Sequence, residues 1–139
     1  MHMKELKKKS FIINISMLCL LTACTGSVPS EDTGTSWRTI SADEAYRMMQ
    51  ESDDYILLDV RTEEEYTERR IDGSILIPDF EIKERAEAEL PDKDATILVY
   101  CRSGRRSASA AETLYSLGYT NVYDFGGIID WPYETITGN

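Results

Sequence analysis

The chain has few of the side chains on which many catalytic sites depend, with three cysteines and one histidine in 139 residues. The histidine is His2, so no catalytic step in the remainder of the chain can use an imidazole. Long apolar runs are also missing, because the run from Phe11 to Leu21 is too short to span a bilayer stably. No internal repeat and no second core are visible in the sequence.

Positive charge is scarce after the first 23 residues. Residues 24–139 contain 11 Lys and Arg residues against 24 Asp and Glu residues, which gives a formal charge of −13. A domain of this charge repels nucleic acid and anionic lipid, so neither is expected as a partner. The densest basic cluster is formed by Arg102, Arg105 and Arg106, and positive charge is therefore concentrated at one place.

The N-terminal residues predict export. Four lysines precede the apolar run, which is the pattern of a secretory signal. The run ends in Leu21-Thr22-Ala23-Cys24, which resembles the lipobox of bacterial lipoproteins. Residues 1–23 are therefore predicted to be a lipoprotein signal peptide, and Cys24 a lipidated N-terminus that anchors the protein to the bacterial membrane. The alternative is an uncleaved N-terminal membrane helix; both interpretations place the domain outside the cytoplasm.

The mature chain divides into a tether and one domain. Residues 24–36 are polar, include Gly26, Pro29 and Gly34, and lack apolar periodicity, which is typical of a flexible tether. Residues 37–139 are long enough for one compact domain. A small single domain on a tether needs no partner to fold, so a monomer is expected.

Cys101 is predicted to be the functional thiol. Cys19 leaves with the signal peptide and Cys24 is acylated, so Cys101 has no disulfide partner in the mature chain. In an exported protein, a leftover cysteine indicates a reactive thiol or an intermolecular bridge. The alternative is a buried core residue, which fits poorly because three arginines follow within five positions.

Strand and helix patterns alternate along the domain. The predicted strands are Ile56 to Val60, Ser74 to Ile77, Thr96 to Tyr100 and Asn121 to Tyr123. The predicted helices are Ser41 to about Gln50, a short helix that begins at Thr62, Phe80 to Leu90, Ser107 to Leu117 and a last helix around Ile129 to Glu134. This order predicts an α/β fold, with a mainly parallel central sheet and helices on both faces. Ligands of such sheets lie at the carboxyl ends of strands, where Asp59 and Cys101 stand.

The residues after Cys101 predict an anion-binding loop. An apolar strand ends at the thiol, and a basic turn leads into an Ala-rich helix; the loop comprises Arg102, Ser103, Gly104, Arg105, Arg106 and Ser107. Successive backbone N–H groups and a helix N-terminus form a cradle for anions. A thiol at a helix N-terminus beside arginines favours the thiolate, which is the nucleophile. The loop therefore predicts chemistry on sulfur or on an oxyanion.

Several ordered motifs resemble single-domain rhodanese-like sulfurtransferases. The motifs are Asp59-Val60-Arg61 with Glu64-Glu65-Tyr66, Ile71 to Pro78, Cys101 to Ser107, and Gly118-Tyr119 with Val122-Tyr123 and Gly126 to Trp131. The resemblance covers residues 36–131 and implies the rhodanese-like fold. One departure is that Arg69-Arg70 stands where the family usually has Gly-His, and the effect of Arg70 is not evident from the sequence.

The resemblance implies that Cys101 attacks a small anionic sulfur donor such as thiosulfate and holds the sulfur as a persulfide. A thiophilic acceptor, either cyanide or a thiol, including a protein thiol, then removes it. The amides of residues 102–106 would hold the negative charge, and Arg102 and Arg105 would attract the donor. Arg106 is expected to pair with Asp59, which together with Arg61 supports the loop. No metal and no cofactor are expected.

Two other functions fit the loop cysteine. Cysteine-dependent phosphatases and arsenate reductases of related fold carry an arginine six positions after the cysteine, where this chain has Ser107 and where Arg106 comes one position early. A shorter loop suits a sulfane sulfur better than a tetrahedral phosphate. The third function is a non-enzymatic sulfur-relay or partner-binding module, in which a partner protein takes the sulfur.

Overall fold

A computed structural model describes residues 37–138, which form one α/β unit. The strands are β1 Trp37–Thr39, β2 Ile56–Asp59, β3 Ile75–Leu76, β4 Ile97–Cys101 and β5 Val122–Gly127, and the helices are α1 Ala42–Glu51, α2 Glu63–Glu68, α3 Ile82–Glu89 and α4 Arg105–Ser116. Short 3₁₀ turns lie at Asp79–Glu81 and Ile128–Asp130. The predicted signal peptide, Cys24 and the tether lie outside the described residues.

All five strands are parallel and lie in the order β1-β5-β4-β2-β3. Strand β4 is the middle strand of this order. Its five residues are all buried, as expected of a strand that is covered on both faces. Its neighbours β2 and β5 align so that Val99 lies between Leu58 and Asp124. The predicted fold class is confirmed.

Two apolar clusters cover the two faces of the sheet. One contains Leu58, Val99 and Cys101 with residues of α3 and α4, and the other contains Leu57, Leu98 and Tyr100 with Ala45 of α1. Side chains of a strand alternate between faces, which is why consecutive residues of β4 belong to different clusters. Cys101 therefore points toward the α4 side, and Tyr100 points toward the α1 side.

Local sequence signals explain the helix ends. Ser41 Oγ accepts a hydrogen bond from the N–H of Glu44 at the start of α1, at 3.1 Å. Gly118 follows α4 with a φ of +94°, the left-handed conformation that ends many helices. Among residues 37–138, no helix has the length and apolar content needed to cross a membrane.

Two elements differ from the sequence-based prediction in existence or type. Strand β1 has no counterpart in that prediction, since three residues carry no alternation pattern, and it forms only by pairing with the distant β5. The helix predicted around Ile129 to Glu134 is instead a single 3₁₀ turn at Ile128–Asp130, because β5 continues to Gly127 and Pro132 follows closely.

Candidate active site

Cys101 lies at the carboxyl end of the central strand, as the sequence predicts. Its side chain is 1% exposed. The pairing of β4 with β5 shifts after Val99, so that Cys101 faces Gly127. Cys101 is the last residue of β4, which lies between β2 and β5, so the thiol is at the base of the loop that follows the strand.

The loop after Cys101 directs a backbone amide at the sulfur. The N–H of Gly104 donates to Cys101 Sγ at 3.0 Å. Gly104 has a φ of +101°, a left-handed conformation that favours glycine. Helix α4 begins at the next residue without a side-chain cap from the described residues. Its first-turn amides are therefore left to the loop and to a ligand.

Ser107 is a buried polar side chain beside the thiol. Its Oγ lies 3.5 Å from Cys101 Sγ, within reach of a hydrogen bond to sulfur. The hydroxyl proton can be donated to the carbonyl of Gly104 at 3.0 Å or to that of Gly126 at 3.3 Å. The helix starts two residues before Ser107, at Arg105, so Ser107 lies inside the first turn and is not its cap.

Gly127 packs directly against the backbone of the loop that follows Cys101. A Cβ at this position would lie 2.3 Å from the carbonyl oxygen of Arg102 and 2.6 Å from the Cα of Ser103. Only glycine therefore allows the two backbones to approach this closely. The N–H of Ile129 donates to the same Arg102 carbonyl at 3.2 Å. The sequence contains no local signal for this packing.

Arg106 pairs with Glu65, and the predicted pairing with Asp59 is wrong. Its two terminal nitrogens each donate to one carboxylate oxygen of Glu65, both at 2.9 Å. These hydrogen bonds hold the pKa of Glu65 at about 2, well below its usual value. The pair connects the first turn of α4 to α2, and therefore holds the active-site loop against α2.

Asp59 is engaged by Arg61 on the opposite face of the sheet from Cys101. The Arg61 guanidinium donates to Asp59 Oδ2 at 2.6 Å, and both side chains are buried. Although burial lowers the pKa of Arg61, the hydrogen bonds to Asp59 outweigh it and raise that pKa. Arg61 also donates to the carbonyl of Arg69 at 2.6 Å, just after α2. Asp59 and Arg61 thus hold the backbone at Arg69, at the end of α2, in position.

The remaining loop side chains face solvent. Arg102, Ser103 and Arg105 are exposed. Within residues 37–138, neither arginine forms an ion pair. Their charges are consequently available to an incoming anion. Among the same residues, no group of three or more metal-ligating side chains occurs.

The arrangement suits covalent chemistry at sulfur. A thiol receives a backbone N–H, stands next to a serine hydroxyl, and lies below the open start of α4 with two exposed arginines around it. Negative charge on the sulfur, or on a second sulfur bound to it, would be stabilised by fixed dipoles. The predicted loop residues are thus assembled around Cys101, whereas Asp59 and Arg61 act at a distance from it.

Comparison with known proteins identifies the same fold and family. The family model described as a rhodanese-like domain matches residues 41–132. The chain is 42% identical over 81 residues to thiosulfate sulfurtransferase PspE of Escherichia coli, over 58% of this chain and 78% of that protein. It is 34% identical to a sulfurtransferase of Allochromatium vinosum, over 66% of this chain and 85% of that protein.

Solved structures of similar proteins have the same fold. The structure titled rhodanese with anions from E. coli has a TM-score of 0.57 and 40% identity, and the match covers 60% of this chain and 99% of that one. A rhodanese-like domain protein from Staphylococcus aureus has a TM-score of 0.62 and 30% identity, covering 73% of this chain and 99% of that one. These relatives support sulfurtransferase activity in general terms. The chain belongs to the rhodanese-like domain family.

Proposed function

We propose that this protein is a sulfurtransferase that carries sulfane sulfur from a donor such as thiosulfate to a thiophilic acceptor, as a persulfide on Cys101. The observation that carries the proposal is the contact between the Gly104 N–H and Cys101 Sγ, at the open start of α4. A fixed N–H aimed at sulfur stabilises a thiolate before the reaction and a persulfide anion after it. Names of the relatives, several of which are thiosulfate sulfurtransferases, agree with this chemistry.

The first half-reaction forms the persulfide. The Cys101 thiolate attacks the outer sulfur of thiosulfate, a new S–S bond forms, and the S–S bond of thiosulfate breaks with sulfite as the leaving group. Both electrons of the broken bond leave with sulfite, so the step is balanced without an external oxidant. The negative charge then resides on the outer sulfur, which lies among the first-turn amides of α4.

The second half-reaction returns the free enzyme. A cyanide ion or a thiolate attacks the outer sulfur, the Cys101 S–S bond breaks, and Cys101 leaves as the thiolate. Ser107 is proposed to donate a hydrogen bond to the inner sulfur in both steps, because its Oγ lies 3.5 Å from it. Arg102 and Arg105 are proposed to attract the anionic donor, since both are exposed at the loop.

Intact mass spectrometry of the purified protein before and after thiosulfate tests the proposal. We expect a gain of one sulfur atom that cyanide removes. The matched control is Cys101→Ser, which lacks the thiol proposed to carry the sulfur and should gain none. If the native protein takes up no sulfur from thiosulfate or another sulfane donor, the proposal is wrong, and assays with phosphate and arsenate substrates become the next step.

We further propose that the protein is exported and lipid-anchored through Cys24. The support is the lysine-rich start, the apolar run from Phe11 to Leu21 and the small residue before Cys24. Metabolic labelling with a fatty acid should mark the native protein in the membrane fraction and should not mark Cys24→Ser. Labelling that persists in Cys24→Ser would contradict the anchor.

A further inference from the structure

The chain beyond the family match folds back beside the active site. Residues 133–138, named here the C-terminal segment, follow the matched residues 41–132. Ile136 and Arg70 form an antiparallel bridge through two backbone hydrogen bonds of 2.8 and 2.9 Å. The N–H of Gly138 also donates to the carbonyl of Thr67 at 2.9 Å. The segment is therefore fixed against the end of α2.

Arg70, which stands where the family usually has histidine, anchors this segment. In addition to the backbone bridge, its guanidinium donates to the carbonyl of Gly138 and lies 4.8 Å from the centre of the Tyr66 ring. A histidine side chain is too short to make the same contacts. The departure seen in the sequence thus has a local structural consequence, since the Arg70 side chain adds a hydrogen bond that holds the end of the C-terminal segment.

The C-terminal segment closes one side of a cleft of about 420 Å³. The cleft is lined by Arg61, Glu65, Glu68, Arg69, Arg102, Ile128, Ile129 and Thr137. It adjoins the thiol loop because Arg102 directly follows Cys101, and Ile128 directly follows the Gly127 that pairs with Cys101. The cleft therefore lies where the organic part of a sulfur-containing ligand would extend from the reacting sulfur.

The unpaired charges of the cleft are mainly positive. Arg61 is neutralised by Asp59, and Glu65 is neutralised by Arg106. Arg69, Arg102 and Glu68 form no ion pair with any residue of 37–138.

Arg69 is held across the cleft, because its guanidinium donates to the carbonyl of Ile128 at 3.3 Å. Residues 24–139 carry a formal charge of −13. The cleft has two unpaired arginines and one unpaired glutamate, so its charge is opposite in sign to that of the acidic domain. This local positive charge favours an anionic ligand.

The size of the cleft indicates an organic ligand. Its volume falls within the range of roughly 300–1,000 Å³ that is typical of sites for small organic molecules. Thiosulfate, which is little larger than sulfate, would leave most of it empty. The exposed Ile129 side chain adds an apolar surface to the two guanidinium groups. A carboxylate-bearing thiol has both kinds of surface and carries the reacting sulfur as well.

We propose that this cleft binds the carboxylate-bearing part of an acidic organic thiol that serves as the sulfur acceptor, with Arg69 and Arg102 as specificity-determining residues. The proposal rests on the proposed function, because it assigns the acceptor class of the same site. The acceptor thiolate attacks the outer sulfur of the Cys101 persulfide, and a new S–S bond forms on the acceptor. The bond to Cys101 breaks, both of its electrons return to Cys101, and the acceptor leaves as an organic persulfide.

Single-turnover discharge of the loaded protein tests the proposal. The native protein is first loaded with thiosulfate and freed of excess donor, and loading is confirmed by intact mass. It is then mixed with mercaptosuccinate, 2-mercaptoethanol or cysteamine, which carry negative, neutral and positive charge. Each rate is divided by the rate of the same thiol with a small-molecule persulfide, which removes differences in thiol reactivity. We expect the order mercaptosuccinate, 2-mercaptoethanol, cysteamine, with a preference that falls as salt is added.

Variants locate the preference. Arg69→Gln and Arg102→Gln should each reduce the ratio of the mercaptosuccinate rate to the 2-mercaptoethanol rate by roughly threefold to fivefold, the effect expected of one exposed charge. Arg47→Gln is the matched control, since Arg47 is an exposed arginine outside the cleft and its loss should leave the ratio unchanged. Circular dichroism verifies that each variant is folded.

The outcomes separate the two proposals. Failure to load sulfur overturns the proposed function and this inference together. Normal loading followed by equal normalised rates for the three thiols overturns the inference alone. A preference that survives in both Arg69→Gln and Arg102→Gln also overturns it, because the selectivity would then arise outside the cleft.

Discussion

Helices α2 and α4 begin at the same edge of the sheet but use their first-turn amides differently. At α2, Thr62 Oγ1 accepts from the N–H of Glu65 at 3.3 Å, and the Glu65 carboxylate accepts from the N–H of Thr62 at 3.0 Å. Helix α4 follows the left-handed Gly104 and receives no side-chain cap from residues 37–138. A start that satisfies its own donors is structural, whereas a start that leaves them open can bind an anion.

Glu65 belongs to both helix starts. Its carboxylate completes the cap of α2 and also accepts hydrogen bonds from both terminal nitrogens of Arg106 in α4. The structural helix start thereby supports the functional one. The comparison predicts that substitutions at α4 reduce sulfur transfer, that substitutions at α2 reduce stability, and that Glu65 affects both properties.

The largest expected effect comes from Gly127→Ala, which would displace the loop at the start of α4. The new Cβ would lie 2.3 Å from the Arg102 carbonyl oxygen, so the loop must move away from the position in which its amides face the sulfur. We expect the rate of persulfide formation to fall by about 10²-fold, the effect of losing one preorganised donor. Unfolding free energy should fall by about 1–3 kcal/mol.

The control for Gly127→Ala is Gly73→Ala. Gly73 has a φ of +78°, but among the described residues no atom lies within 4 Å of the place that an added Cβ would occupy. The substitution therefore strains the backbone without crowding the loop, and its rate of persulfide formation should remain native. A native rate in Gly127→Ala would show that the close approach does not position the loop.

Glu65→Gln would uncouple the two helix starts. We expect the free energy of unfolding at pH 7 to fall by about 1–2 kcal/mol, since charge-assisted hydrogen bonds are lost. Pairing lowers the pKa of Glu65 from 4.5 to about 2. The native carboxylate therefore contributes its full stability above pH 4.5 and loses it as the pH falls toward 2.

Urea unfolding of both proteins at several pH values measures this difference. It should be largest above pH 4.5 and shrink toward pH 2. Glu64→Gln is the matched control, because Glu64 is exposed on the same turn. A difference between Glu65→Gln and the native protein that does not change with pH would exclude the ion pair as its source.

A smaller effect is expected from Ser107→Ala, which removes a hydroxyl beside the sulfur at α4. Loss of a hydrogen bond of about 1 kcal/mol corresponds to a decrease of roughly fivefold in the rate of persulfide formation. Stopped-flow measurement of sulfite release gives this rate. Ser109→Ala, an exposed position in the same helix, should retain the native rate. Equal rates in the two variants would remove Ser107 from the mechanism.

The smallest effect on sulfur transfer is expected from Thr62→Ala, which removes the cap of α2 only. We expect a loss of about 1 kcal/mol in unfolding free energy and a native rate of persulfide formation. Ser41→Ala, the corresponding cap of α1, should lose a similar amount. A large decrease in rate for Thr62→Ala would mean that the cap of α2 is part of the active site and that the comparison fails.

The sequence predicts much of the edge on which these effects depend. Cys101 at a strand end and a helix that begins at Thr62 both follow from local patterns, and the structure confirms them. The partner of Arg106 does not follow from them, because Glu65 lies in a run of three glutamates that is typical of a solvated face. Only the position of α2 beside α4 identifies Glu65 as the partner of Arg106.

Contacts between distant residues explain the remaining errors. Strand β1 pairs with β5, and the C-terminal segment pairs with the backbone of Arg70, which lies 66 positions before Ile136. Neither segment has a periodic pattern of its own. Similarly, the exclusion of a side chain at Gly127 depends on the path of the Arg102 backbone. Local propensities do not contain this information.

The strand order also constrains when the sheet can be completed during synthesis. Strand β1 pairs only with β5, so the first strand of the described chain remains without a partner until Val122 to Asp124 have been made. Such a long-range pairing is slow to form. A nascent chain that stalls before Val122 would expose the edges of both β1 and β4, and open strand edges promote association with other chains.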